Sequence, residues 1–105
     1  MKSRISVGEE LLRVLAIIVI KRTVGFKTDL RKDSIVIPDT IRDEIDSIIE
    51  SVSEIIVMRS GGLAYCRLCG RGSFTKRGLY LHLRRVHLED IMRLLNEEIN
   101  NRFNR

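Results

Sequence analysis

The sequence predicts an α+β protein: a helical N-terminal lobe over residues 1–54, a β-hairpin with a compact Cys/His module over 55–87, and an amphipathic C-terminal helix over 88–105. Three observations lead there. Apolar residues recur at helical spacing in both flanking segments, whereas the centre is rich in glycine and β-branched residues. Both cysteines and both histidines fall between Tyr65 and His87. Charge divides along the same lines, because residues 55–88 carry seven Lys/Arg and no acid while each flank sums to −1, within a total of +5.

The first helix is expected from about Val7 to Arg22. Ser6 and Glu9 stand at capping-box spacing, and Leu11, Leu12, Val14, Leu15, Ile17, Ile18, Val19 and Ile20 follow. The run is apolar on all sides, so periodicity leaves a buried strand open for Ile17 to Ile20. Either form belongs in a core or a dimer interface. Glu9 and Glu10 break the pattern of a secretory leader, and Val14 to Ile20 falls far short of the roughly 18 apolar residues of a membrane span. Val24-Gly25-Phe26 reads as a helix stop with Gly25 left-handed. Around it cluster Lys21, Arg22, Lys27, Arg31 and Lys32, but Asp29 and Asp33 intervene, which favours a solvated loop over a phosphate-binding patch. Ser34 to Ile37 looks extended.

Pro38-Asp39 marks the next start. Ile41, Ile45, Ile48, Ile49 and Val52 then line one face of a helix from about Thr40 to Ser53, with Asp43, Glu44, Asp46, Glu50 and Glu54 on the other. That acidic face would repel nucleic acid. It also counts against a winged-helix arrangement, in which this helix would be the reader and Ser60-Gly61-Gly62 the wing. Ile55 to Arg59 and Leu63 to Cys66 flank that turn as a hairpin. Since its second strand runs into Cys66, the hairpin is expected to be shared by lobe and module. After His87, the residues Leu88, Ile91, Met92, Leu95, Ile99 and Phe103 mark a helix to about Phe103. Barely more than two heptads is short for an isolated coiled coil, so packing on the N-terminal helix is preferred to a dimerisation seam.

Cys66 and Cys69 are separated by two residues, His82 follows after twelve more and His87 after another four. This is the spacing of a tetrahedral site for Zn2+, with Cys66, Cys69, His82 and His87 as ligands. A redox dithiol would sit where a strand meets a helix N-terminus; here Gly-Arg-Gly-Ser follows, and two correctly spaced histidines would go unexplained. No cysteine lies outside the motif, so no disulfide framework exists and a reducing cytoplasm is expected. The absence of Trp and Gln beside 14 Ile and 14 Arg hints at a thermophilic source.

On these residues, Tyr65 to His87 resembles the Cys-Cys-His-His zinc finger family. The resemblance covers 23 of 105 residues and implies a ββα unit around zinc, with Leu79 as its core leucine. It implies a small single-finger regulator of the kind met in archaea and their viruses and plasmids. Two family aromatics are displaced: Ala64 precedes Tyr65, and Ser73 precedes Phe74, each aromatic falling one residue late. A one-residue shift reverses a strand's face, so a bulged hairpin is expected. The histidines are five apart, which requires the last helical turn to tighten or fray. At the family's base-reading positions stand Thr75, Gly78 and Leu81; Gly78 has no side chain to use and Leu81 offers only an apolar contact to a thymine methyl, which counts against sequence-specific readout by the standard mode. Phosphate contacts are expected instead from Arg67, Arg71, Lys76, Arg77, Arg84 and Arg85, with Arg77 the best placed for a base.

The expected function is zinc-dependent DNA binding by a small transcriptional regulator, with RNA left open as a partner. One finger covers about three base pairs, so the N-terminal and C-terminal helices are expected to supply a homodimer. The alternative is a protein-interaction adaptor in which zinc is purely structural. An enzyme is not expected, because four protein ligands leave zinc no open position and no acid lies between Glu54 and Glu89.

Overall fold

A computed structural model describes residues 8–33 and 37–103. Its elements run α1 (Glu9–Val24), α2 (Leu30–Asp33), α3 (Asp39–Ile56), β1 (Val57–Ser60), β2 (Leu63–Cys66), β3 (Gly72–Phe74), α4 (Lys76–Val86) and α5 (Leu88–Phe103). Helices combined with one small antiparallel sheet make this an α+β arrangement, as expected. No described helix is long and apolar enough to cross a membrane.

The all-round apolar character of the first segment follows from its position. Helix α1 packs against α3, α4 and α5, so Leu15, Ala16, Ile18, Val19, Ile20 and Val24 are all buried. A helix surrounded in this way has no polar face for periodicity to detect. It closes with a Schellman motif: Gly25 takes φ +99°, its N–H donates to Arg22 O at 3.2 Å, and Phe26 N–H donates to Lys21 O at 2.8 Å. The capping-box residue Ser6 lies outside the described residues, as do Ser34 to Val36 of the expected extended segment.

Helix α3 buries Ile45, Ile48, Ile49, Val52 and Ile56. It outruns the expected helix by three residues, because Ile56 is wholly buried and packing holds this β-branched residue in helix against its strand preference. Two arginines from other elements meet its acidic face. Arg22 reaches Asp46 at 2.8 Å and Glu50 at 3.5 Å, and Arg102 reaches Glu44 at 3.5 Å. Arg22 is thereby removed from the cationic loop cluster to which sequence proximity assigned it.

The hairpin turns on Gly61 and Gly62, at φ +59° and +80°, the double positive φ that a two-residue turn of the right twist requires. The sheet order is β1-β2-β3, so β2 is the central strand and belongs to the hairpin and the Cys/His module together. In the β2–β3 pair, Ala64 faces Phe74 and Tyr65 faces Gly72, leaving Ser73 as the extra residue of a bulge. The expected bulge thus lies at Ser73. Helix α5 packs on α1 and α3, which is the arrangement preferred from the sequence.

Candidate metal centre

Each ligand is delivered by a different piece of local structure. Cys66 ends β2, where its N–H donates to Arg71 O at 2.8 Å, and its carbonyl accepts Gly70 N–H at 2.8 Å. These bonds close a knuckle that brings Cys69 back beside Cys66, and Gly70, at φ +77°, makes the turn. His82 projects from α4. His87 is the C-cap of that helix, at φ −118° and ψ 12°, and its carbonyl accepts Ile91 N–H at 3.0 Å to begin α5. The helix therefore breaks at the second histidine, and the break lets two imidazoles five residues apart converge, with ring centroids 5.0 Å apart.

The ligand atoms of Cys66, Cys69, His82 and His87 all lie within 4.8 Å of one another. Metal–ligand bonds of about 2.0–2.3 Å give tetrahedral edges of about 3.3–3.8 Å, so no separation needs more than about 1.5 Å of adjustment. Cys69 Sγ and His82 Nε2 are already 3.3 Å apart. His87 Nε2 is buried and has no hydrogen-bond partner. Its other nitrogen, Nδ1, lies 2.9 Å from Asp90 Oδ2. A buried ring nitrogen with no partner, turned toward two thiols and a second imidazole, fits a metal ligand. The group can hold a metal ion.

The protonation states follow from the surroundings of the free ligands. Burial pushes the Cys66 thiol above its ordinary value. Interaction with the facing His87 ring lowers Cys69, although His82 is the imidazole within bonding distance of its sulfur. Burial lowers His82 and favours the neutral, ligating form. At His87 burial also works downward, but the bond to Asp90 and the nearby Cys69 outweigh it, and the net shift is upward. The same bond lowers the carboxyl of Asp90.

Around this centre the module is tied to the helical body. Leu79 and Leu83 of α4 are buried in the shared core. Phe74 stacks on the His82 ring, with centroids 4.6 Å apart at 23°. Arg67 N–H donates to Ile56 O at 2.8 Å, linking knuckle to α3. Lys76 Nζ sits 4.5 Å from the Phe26 ring centre and 3.5 Å from Gly25 O, joining the start of α4 to the end of α1.

All six cations expected to meet phosphates are exposed: Arg67, Arg71, Lys76, Arg77, Arg84 and Arg85. None of them forms an ion pair among the described residues. Their engagement differs. Lys76 is occupied at Phe26, and Arg84 lies 3.2 Å from the Tyr80 hydroxyl, whereas Arg67, Arg71, Arg77 and Arg85 have no side-chain partner among the described residues. Arg59, the seventh cation of the basic segment, donates to Thr23 O at 2.7 Å. Thr75 is spent as well, since its hydroxyl accepts Gly78 N–H at 3.0 Å and caps α4. Asp90 is absent from the sequence-based site; its position three residues after His87 is the only signal for it. No family model, curated protein or solved structure matches this chain.

Proposed function

We propose that this protein is a zinc-stapled DNA-binding module acting as a small transcriptional regulator. The carrying observation is the coincidence of the Cys2His2 group with a stretch of sequence, residues 55–88, that holds no acid and in which Arg67, Arg71, Arg77 and Arg85 are exposed and unpaired among the described residues. Arg77 and Arg85, with Leu81 between them, share one helical face at spacings of four and eight. A tetrahedral ion closed by four protein ligands has no open position for water, so zinc acts as a staple that holds knuckle, α4 and the start of α5 in register. The resemblance of Tyr65 to His87 to Cys-Cys-His-His fingers supports zinc as the ion.

Phosphate contact supplies affinity without reading sequence. With Thr75 committed to its cap and Gly78 lacking a side chain, discrimination between bases rests on Arg77. Retardation of duplex DNA over a salt series, with and without chelator, tests this reading. Four arginines on phosphates give a slope of about −3 to −4 in log affinity against log salt. Chelation should abolish binding.

A second reading, a protein-interaction adaptor, is favoured by a cleft of about 210 Å³ between α3 and α5, lined by Val52, Ile55 and Leu94 and rimmed by Glu97 and Glu98. If the metal-loaded protein retards no DNA at low salt, the regulator reading is lost and the adaptor stands.

A further inference from the structure

Beside α4 lies a groove of about 630 Å³, formed by two segments some fifty residues apart: Lys21, Phe26 and Lys27 on one side, Arg77, Tyr80 and Leu81 on the other. Its volume is in the range of about 300–1,000 Å³ found for small-ligand clefts. Three cations and two aromatic rings line it, and no acid does. Phe26 is 42 % exposed although it is one of only three phenylalanines in the chain. Its ring meets Tyr80 edge-on, with centroids 5.7 Å apart at 84°. The Lys76 contacts to Gly25 O and the Phe26 ring hold the two walls together, so the groove exists before any ligand arrives.

Interleaved cations and partly exposed rings suit unpaired nucleotides, whose bases offer π-faces and whose backbone offers a phosphate at each step. A duplex hides those faces inside its stack. We propose that this groove binds single-stranded nucleic acid, with a base against Phe26 and Tyr80 and phosphates on Lys21, Lys27 and Arg77. The inference rests on the nucleic-acid reading above for the shared use of Arg77 and Leu81; it adds a neighbouring, strand-selective groove beside the duplex-facing side of α4. A protein segment rich in acids would satisfy the cations but would leave the rings without stacking partners.

Fluorescence anisotropy on the full, metal-loaded chain tests this with three probes: labelled oligo(dT) of about twelve nucleotides, an abasic strand of equal length, and a blunt duplex. The expected result is oligo(dT) bound about tenfold more tightly than the abasic strand, and Phe26→Ala weakening oligo(dT) about tenfold while Phe26→Tyr restores it. Phe26→Ala should leave blunt-duplex affinity within about twofold, since the exposed ring serves the groove and not the outer face of α4. Lys27→Glu provides a second variant that removes no packing and should also weaken oligo(dT).

The proposal is overturned if oligo(dT) does not bind, if the abasic strand binds equally well, if Phe26→Ala and Lys27→Glu both leave oligo(dT) affinity unchanged, or if polyglutamate competes as well as oligo(dT). Failure of the earlier reading looks different: the blunt duplex goes unbound whatever the single strand does.

Discussion

Asp90 Oδ2 lies 2.9 Å from Nδ1 of His87, while the other ring nitrogen of His87 is buried and without a hydrogen-bond partner. A carboxylate at Nδ1 favours the tautomer protonated there, which makes Nε2 the nitrogen left to bind an ion once His87 is neutral. The relationship depends on the helix break, because His87 ends α4 and Asp90 occupies the first turn of α5.

Replacing the carboxylate should therefore weaken metal binding without removing a ligand. Asp90→Asn is expected to lower Zn2+ affinity about 10- to 100-fold. Competition against a chromophoric chelator measures this, and an unchanged affinity would show that Asp90 only begins the helix.

Metal affinity should fall as pH falls. Cys66 and His87 both hold their protons above their ordinary values in the free site, so an entering ion must displace them. The expected loss is about one to two decades of affinity per pH unit from pH 8 to 6, by competition titration. Without metal, the His87–Asp90 pair follows a different rule. The raised His87 contributes stability that is present below its unfolded value and lost as pH rises through its folded value. The lowered Asp90 contributes stability present above its unfolded value and lost as pH falls through its folded one. Chelated protein should accordingly be most stable between those limits, which urea melts at several pH values would reveal.

Thr75 stands where the finger resemblance expects a base contact, but it serves as the cap of α4. Thr75→Ala should cost about 1 kcal/mol of stability. Preference among DNA sequences should not change, as a binding-site selection on wild type and variant would establish. Thr75→Ser should recover the stability.

Leu83 is wholly buried on α4, which packs against α1 and α5. Leu83→Ala is expected to cost about 2–5 kcal/mol. Because this core joins module and lobe, denaturation followed by helical signal and by metal release should shift together. Two separated transitions would show that the parts fold independently.

How much of this could be read from the sequence depends on the range of the interaction concerned. The ligand quartet is legible because its order is encoded along the chain, and the Schellman stop at Gly25 because it is local. The amphipathic pattern from Ile41 to Val52 placed α3 within a few residues. The helix expected through Ile17 to Ile20 is the one found, but periodicity alone cannot exclude a strand there, since a segment in contact with three helices has no polar face to mark its period. Lys21 and Lys27 read as loop charges beside Asp29, yet they line a groove with Arg77, some fifty residues on. Arg22, their neighbour in sequence, leaves that group for Asp46 and Glu50. Pairings of this kind come from helix packing, which carries no fixed spacing.

The shared strand β2 has a further consequence. One edge of it pairs with β1 and the other with β3, while its last residue is the first thiol. A cut before Tyr65 would remove β1 and leave α4, with Leu79 and Leu83, without α1, one of the two helices it packs against. Unlike a bead on a string, the module is not a portable cassette, and the direction in which α4 points is set by the whole body.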